Sequence, residues 1–287
     1  MRSNLACFTA CLLTSLVVNA TSLNTPVAEL KINPAIPQAS YSLKDKDGFL
    51  TPSPNRWEII GALGIANLRT GNSLLVVTSD EIDKLVQTNK NRWNTFAAQL
   101  GFGYFYYLSE TRGYSEQAQW FPTLEPQINV YYLNSRQGIQ GQVKLFEDAT
   151  STQISFKAPI SSTRLMFDTA LTVVTKNRFS LYAIGGIGSA WNRMRYSDAD
   201  LVNEDPCFNG LNLDSNTHSN FAWEVGAGLM TKINNRLSVN LQYLYADLGK
   251  ASSSETGTIG AFALPLLAAP HFDLRSQTVL LSVHIAV

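Results

Sequence analysis

Two segments of alternating side chains, joined by a polar turn, occupy residues 221–249 and constrain the fold more than any other feature of this chain. One face of each segment carries bulky groups such as Trp223 and Tyr243. The other face carries small or polar groups such as Glu224 and Gln242. Alternation with a period of two predicts paired β-strands with chemically different faces. A soluble sandwich buries its bulky face, whereas a membrane barrel turns that face towards lipid and lines a narrow lumen with the small and polar groups.

Composition and charge narrow the choice between these architectures. Only 15% of the 287 residues are charged, which is low for a soluble domain. The formal net charge is zero, so no basic excess indicates a nucleic-acid partner. No run approaches the roughly 20 apolar residues of a membrane helix, because the richest candidate, residues 258–269, is short and contains Pro265. If the chain crosses a membrane, it does so with strands.

The amino-terminal part of the chain differs from the rest. A positively charged start and an apolar stretch precede Val18-Asn19-Ala20, whose small residues suit cleavage, so residues 1–20 are predicted to be a secretory signal peptide. Residues 21–55 contain five prolines and no sustained periodicity, which predicts an irregular segment that lies in the periplasm or partly plugs the barrel; a disordered tail is the alternative. Cys207 would be the one cysteine left after cleavage, so no internal disulfide is expected.

Further segments with the same alternation follow, and with the 221–249 pair they predict eight strands within residues 56–287. These strands are predicted at residues 56–68, 92–108, from about 120 onwards, 163–175, 179–191, 221–230, 237–246 and 278–287. The third strand either continues through a bulge at residues 135–138 to about residue 146 or is followed by a separate strand.

The connections between the predicted strands alternate in length. Tight turns at residues 176–178 and 234–236 share an Asn-Arg sequence, whereas residues 193–219 and 250–275 are predicted to be long polar loops. Residues 79–86 are predicted to form a short helix within the first long connection. Short turns on one side and long loops on the other are typical of outer-membrane barrels. The sequence thus predicts an all-β, eight-stranded antiparallel transmembrane β-barrel with short periplasmic turns and long outer loops.

A motif near the last predicted hairpin agrees with this architecture. Tyr243-Leu244-Tyr245-Ala246-Asp247-Leu248-Gly249 resembles the Tyr-x-Tyr-x-Asp-x-Gly pattern of opacity-protein and outer-membrane-protein-A-like barrels. The last strand resembles the carboxyl-terminal insertion signal of these proteins, although it ends in Val287 where the signal usually has an aromatic residue. The resemblance implies the outer membrane of a Gram-negative bacterium. It also implies contact with membrane lipid and lipopolysaccharide, with periplasmic chaperones and with the barrel-assembly machinery.

The alternation also predicts which polar residues point into the lumen. An eight-stranded barrel is just wide enough for side chains to fill, so these groups must pair or form hydrogen bonds with one another. The predicted interior polar network consists of Glu58, Gln99, Glu125, Arg164, Asp168, Glu224, Gln242 and His284. We expect this network to be structural and to plug the lumen; a narrow, porin-like pore is the alternative.

Sites for chemistry are less well supported by the sequence. Ser282 and His284 share one strand face, but that face points inward, away from lipid, and no loop acid can be assigned to them. The acidic residues between Asp198 and Asp205 resemble a solvated loop more than a calcium site. We therefore expect no catalytic, cofactor or metal residues and a protein that is not an enzyme. The expected role is structural or adhesin-like, carried by outer loops that contact a host or envelope ligand; a lipid-modifying enzyme is a less favoured alternative.

Overall fold

The structure is a computed structural model, and it describes residues 55–71, 73–76, 82–90, 92–108, 118–145, 154–200, 210–234, 236–259, 262–266 and 268–287. The predicted signal peptide, nearly all of the predicted periplasmic segment and Cys207 lie outside these residues. Among the described residues, no helix is long and apolar enough to cross a membrane.

Eight long antiparallel strands form a closed ring, which confirms the predicted fold class. In chain order the ring contains β1 (Arg56–Thr70), β4 (Thr95–Tyr107), β6 (Thr123–Lys144), β7 (Ile154–Lys176), β8 (Phe179–Asp200), β9 (Leu211–Lys232), β10 (Leu237–Ser252) and β13 (His271–Ala286). Each strand pairs with the next one in this series, and β1 pairs with β13 to close the ring.

Short strands extend the sheet outside this ring. They are β2 (Ser73–Val76), β3 (Ile82–Gln87), β5 (Gln119–Trp120), β11 (Thr256–Ile259) and β12 (Phe262–Pro265). The β2–β3 hairpin pairs with the outer end of β6, and the β11–β12 hairpin pairs with the outer end of β9. β5 pairs with β7 at the opposite, periplasmic end of the barrel.

The predicted helix at residues 79–86 is wrong over its described part. Residues 82–86 belong to β3, in which Leu85 is fully buried and pairs with Val143 of β6. Asp83 and Gln87 are buried on the same face, which is the period of a strand and not of a helix. Pairing with β6 therefore outweighs the helical tendency of the isolated segment.

The strands on one side of the barrel are also much longer than predicted. β8 runs to Asp200 and β9 begins at Leu211, so most of the predicted loop at 193–219 is strand. Likewise β10 runs to Ser252, β11 and β12 follow, and β13 begins at His271, so more than half of the predicted loop at 250–275 is strand. The third predicted strand is continuous as β6, with a register shift between Ser135 and Ile139.

We call the part of the barrel with large, apolar outward side chains the membrane-facing belt. It shows the predicted distribution of side chains. On β9 the outward Phe221 and Leu229 are 67% and 56% exposed, whereas the inward Glu224 is 1% exposed. On β13 the outward Leu281 is 58% exposed and lies between Leu63 of β1 and Leu241 of β10. Large apolar groups thus cover the outside of this part of the barrel, as lipid requires.

Beyond the belt, the inward faces of the same strands become apolar. At about 3.3 Å per residue, the 22 residues of β8 span on the order of 70 Å, far more than a bilayer crossing needs. We call the part beyond the belt the outer extension. Its inward face is apolar, as in a soluble protein, and includes Leu133, Ile139, Phe156, Tyr196, Leu213 and Phe272. Three of these rings stack, with Phe156 5.8 Å from Tyr196 and 5.9 Å from Phe272 between ring centroids.

The two Asn-Arg turns have a common physical basis at the periplasmic end. Asn177 adopts a left-handed backbone with φ of 54°, which asparagine tolerates better than most residues. In the second turn, Asn234 Oδ1 accepts hydrogen bonds from the backbone N–H groups of Arg236 and Leu237, both at 2.8 Å. Side-chain chemistry therefore fixes the short connections.

Candidate functional site

All eight residues of the predicted interior network lie inside the barrel. Each is at most 6% exposed, and together they come from seven of the eight ring strands, all except β8, because each ring strand projects alternate residues inward. Glycines on the inner face leave room for them. A Cβ atom at Gly186 would collide with the side chain of Asp168, and one at Gly101 would collide with that of Asn129.

A buried ion pair crosses the middle of the lumen. Arg164 Nη2 lies 2.8 Å from Glu224 Oε2, and neither side chain is more than 1% exposed. The guanidinium group also stacks over the ring of Tyr131, 4.2 Å from its centroid, and donates to Ser276 Oγ at 3.4 Å. Tyr131 lies on the neighbouring strand β6, but Glu224 and Ser276 lie on β9 and β13, which do not pair with β7. The contacts of Arg164 therefore connect strands that are not neighbours in the ring.

Asp168 is held by neutral donors next to this pair. Its Oδ2 accepts hydrogen bonds from Asn129 Nδ2 at 2.6 Å and from the Tyr131 hydroxyl at 3.1 Å. Asn129 also donates to Gln127 at 2.9 Å. Asn129 and Tyr131 are absent from the predicted network, although strand parity places both on the inner face.

A chain of neutral hydrogen bonds forms a second bridge across the lumen. Gln242 Nε2 donates to Gln99 Oε1 at 2.8 Å, and the Tyr182 hydroxyl donates to Gln242 Oε1 at 3.1 Å. These residues lie on β10, β4 and β8, which are separated around the ring. The bridge therefore spans the lumen from wall to wall.

The periplasmic end of the lumen holds a third cluster. His284 Nδ1 lies 3.2 Å from Glu58 Oε2 and 3.6 Å from Glu125 Oε1. Among the described residues this is a group of three that could hold a metal ion, because one ligand atom of each lies within 4.8 Å of the others. However, Arg56 Nε already binds Glu58 Oε1 at 2.6 Å. Arg56 and His284 thus supply the cationic partners that buried carboxylates need.

The catalytic alternative considered for Ser282 and His284 receives no support from this geometry. His284 is engaged by two carboxylates, whereas the buried Ser282 Oγ has no hydrogen-bond partner in the described part of the chain. A serine nucleophile would need the imidazole as its base.

A polar groove opens in the wall of the outer extension, and sequence reasoning missed it. β9 and β10 pair only as far as Trp223 and Asp247 and then diverge. Beyond that point the Asn220 side chain replaces the missing backbone partner, because it donates to Lys250 O at 2.7 Å and accepts from Lys250 N at 3.1 Å. We call the space between the diverging strands the lateral groove.

The lateral groove has a volume of about 600 Å³ and is lined mainly by polar side chains. The lining includes Asn216, His218, Asn220, Lys250, Ser252, Ser253, Ser254, Glu255, Thr256 and His271. The β11–β12 hairpin is joined to this region through Ser254 N, which donates to Asp214 O at 2.9 Å. His218 and His271 therefore share one groove although the sequence separates them widely.

A partly buried acid, Asp198, connects β8 to the start of β9 in the outer extension. Asp198 accepts hydrogen bonds from Leu211 N at 2.6 Å and from the Tyr196 hydroxyl at 3.1 Å. Burial raises the pKa of Asp198 to about 6, with a further increase from nearby Asp83, although the two hydrogen bonds act in the opposite direction. Burial and the adjacent carboxylate raise the pKa of Tyr196, so its hydroxyl stays protonated and can donate.

The buried ion pair predicts strongly non-additive mutations. Arg164→Met alone leaves Glu224 uncompensated and should lower the free energy of unfolding by about 3–5 kcal/mol. The double variant Arg164→Met/Glu224→Leu should lose less than either single variant, because it removes both charges. Equilibrium urea unfolding in lipid vesicles measures all three, and additive losses would contradict the pairing.

The raised pKa of Asp198 predicts a pH dependence confined to the outer extension. Because the folded state favours the protonated acid, its contribution is fully present below the usual pKa of 3.8 and is lost as pH rises through about 6. Asp198→Asn should therefore match the wild type in amide-exchange protection near pH 4 and exceed it near pH 7. Protection should be compared at Leu211 and its neighbours after correction for intrinsic exchange. A wild type that is better protected at pH 7 would refute the assignment.

Comparison with family models identifies the family of this chain. The model of a family described as outer membrane protein beta-barrel domain matches residues 85–264. No curated protein matches this chain. Three similar solved structures each align with 82% of the chain. They are Neisserial surface protein A (10% identity, 100% of that chain, TM-score 0.34), the attachment invasion locus protein of Yersinia pestis (11%, 100%, 0.37) and OprG of Pseudomonas aeruginosa (14%, 99%, 0.39). The family match extends over more than half of the sequence, and the chain therefore belongs to the outer-membrane β-barrel family.

Proposed function

We propose that this protein is a closed outer-membrane barrel that binds a polar surface ligand in the lateral groove. The observation that carries the proposal is the divergence of β9 and β10, which creates a groove of about 600 Å³ on the part of the barrel that projects from the membrane. This volume falls within the range of small-ligand sites, roughly 300–1,000 Å³. In this proposal the diverging strands β9 and β10 carry the adhesin-like role, which the sequence had led us to expect in the outer loops.

The lining of the groove indicates the chemistry of its ligand. Serine and threonine hydroxyls, asparagine amides and two imidazoles offer many donors and acceptors, and Lys250 adds a positive charge. Such a set suits a hydroxyl-rich ligand, and we propose a saccharide of the host or of a neighbouring envelope. His218 Nε2 lies 3.1 Å from Asn216 Nδ2, so these two side chains already share one polar edge.

The filled lumen supports a closed barrel over the porin-like alternative. Within the belt, the Arg164–Glu224 pair and the Gln99–Gln242 bridge cross the lumen. Above the belt, an apolar core that includes Phe156 and Tyr196 occupies the same axis. A cavity near Glu125 leaves only about 10 Å³ for the centre of a water molecule, about the space that a single water needs. These barriers act in series, and we propose a non-conducting and non-catalytic protein.

A closed lumen predicts that the barrel conducts no ion current. Purified barrel inserted into planar bilayers should give no steady single-channel current, because both halves of the lumen are filled. Insertion must be verified independently by the heat-modifiable gel shift of the recovered protein. A large, steady conductance in verified bilayers would exclude the closed state.

If the lateral groove binds the ligand, changes to its lining should abolish ligand binding, and changes elsewhere should not. Barrels in nanodiscs should retain one or more glycans on an immobilised array, and Asn216→Ala/His218→Ala should lose them. Excision of residues 254–269 should have the same effect, and the ring should survive because Ser253 N and Pro270 O are only 3.4 Å apart. Asn234→Ala, at the periplasmic end, serves as the control. The proposal fails if the wild type retains no glycan or if both groove variants bind as it does.

A further inference from the structure

Three buried side chains from different ring strands converge at the periplasmic end of the lumen. Glu58 lies on β1, Glu125 on β6 and His284 on β13, and none of the three side chains is more than 4% exposed. His284 Nδ1 faces Glu58 Oε2 at 3.2 Å and Glu125 Oε1 at 3.6 Å. We call these three residues the periplasmic triad. It is separate from the lateral groove, and no part of the proposed function uses it.

A glycine lets the two carboxylates of the triad approach each other. In the ring β1 and β6 are separated by β4, on which Gly103 pairs with Glu58 on one side and with Gln127 on the other. A Cβ atom at Gly103 would lie only 2.7 Å from Glu125 Oε1, closer than real Cβ contacts. The side chain of Glu125 therefore uses the space that Gly103 leaves and reaches across β4 towards β1.

A proton on His284 cannot satisfy both carboxylates. An Nδ1–H group donates along one direction, and Glu58 accepts this hydrogen bond at 3.2 Å. The 3.6 Å separation from Glu125 Oε1 exceeds hydrogen-bond range, and this buried oxygen has no hydrogen-bond partner among the described residues. A buried carboxylate oxygen without a partner is costly, so the triad favours a further cation between its three ligand atoms.

A fourth polar side chain, Asn240 of β10, adds a separate indication of a ligand. It lines one small cavity together with Glu125 and His284. Asn240 is 1% exposed, and in the described part of the chain neither its Oδ1 nor its Nδ2 has a hydrogen-bond partner. The cavity leaves about 10 Å³ for the centre of a water molecule, which is about the space of a single water. A hydrated ion beside the triad would supply the partner that Asn240 lacks.

The neighbouring cations do not occupy the ligand atoms of the triad. Arg56 Nε binds Glu58 Oε1 at 2.6 Å, which is the oxygen that does not face His284. Lys232 Nζ donates to the Tyr107 hydroxyl at 3.4 Å and lies 5.2 Å from the centroid of the Phe105 ring. Arg56 thus orients the Glu58 carboxylate and directs Oε2 towards the imidazole, as groups around metal ligands commonly do.

We propose that the periplasmic triad binds a divalent transition-metal ion of the zinc class. One imidazole nitrogen and two carboxylate oxygens suit such an ion, and a water molecule bonded to Asn240 would complete four ligands. Metal–ligand distances of about 2.0–2.2 Å place tetrahedral ligand atoms roughly 3.3–3.6 Å apart, close to the 3.2 and 3.6 Å separations of the triad. Binding releases the Nδ1 proton of His284 to solvent. The ion links β1 and β13, the strands that close the ring, to β6.

Native mass spectrometry of the intact, untagged barrel in detergent tests this site. All proteins carry Cys207→Ser, and each is treated with a chelator, dialysed and titrated with Zn²⁺. The test variants are Glu125→Gln and His284→Gln, which each remove one proposed ligand. The matched control, His218→Gln/His271→Gln, removes the other two histidines of the chain. The heat-modifiable gel shift checks that each variant is folded.

The parent protein should bind one Zn²⁺, and each test variant should bind it at least about tenfold more weakly, since a ligand is lost. The control variant should bind Zn²⁺ like the parent. The proposal is overturned if the parent binds no Zn²⁺, if both test variants bind it like the parent, or if the control loses it.

The Co²⁺-loaded parent protein supplies a measurement that does not depend on the folding of any variant. Its visible spectrum should show the intense absorption of a tetrahedral ion, because the lumen provides few ligands and little room for water. The weak spectrum of an octahedral, largely hydrated ion would overturn the proposal. Because the glycan array reads the lateral groove, either proposal can fail without the other.

Discussion

Closure of the ring between β1 and β13 is the constraint on which the rest of this structure depends. The two strands pair continuously from Glu58 opposite Ala286 to Thr70 opposite Leu274. In lipid, an unpaired strand edge would leave backbone N–H and C=O groups without partners, so the ring must close. Closure with eight strands fixes a narrow lumen, and a narrow lumen forces the inward polar side chains into contact.

The interior network follows from that crowding. Buried charges are costly unless they are paired. The barrel pairs Arg164 with Glu224 across the lumen, and Glu58 with His284 between the neighbouring strands β1 and β13. Glycine at positions such as 186 leaves the volume that these side chains need. The same strands then leave the membrane, and their inward face becomes apolar around Phe156 and Tyr196. In one sheet, therefore, the inward face is polar within the membrane and apolar beyond it, and the change occurs near Trp191.

The sequence predicted the membrane half well because lipid imposes a strict alternation. Bulky outward residues at every second position, such as Phe221 and Leu281, reveal both the strands and their faces. All eight predicted interior residues are buried for the same reason. Tyr131 was missed because it is aromatic and was not counted as a polar group, although its position has the inward parity.

The outer extension was mistaken for loops because water relaxes that alternation. Between Asp214 and Ser219 both faces of β9 are exposed, so the sequence carries no periodic signal there. Register shifts beside Met194 and Asp247 interrupt the pattern further. The lateral groove depends on where β9 and β10 separate, which is a property of long-range pairing. Residues 82–87 form a strand through pairing with β6, which no local pattern indicates.

Accessibility of spin labels along β8 in lipid vesicles is the most direct test of the central claim that this strand crosses from lipid into water near Trp191. Single cysteines would replace Leu181, Ile187, Arg193 and Arg195 in a Cys207→Ser background. The account predicts that labels at 181 and 187 collide with oxygen dissolved in the bilayer, and that labels at 193 and 195 collide with a water-soluble nickel chelate. Uniform access to the chelate along the strand, or access to oxygen at 195 equal to that at 187, would contradict it.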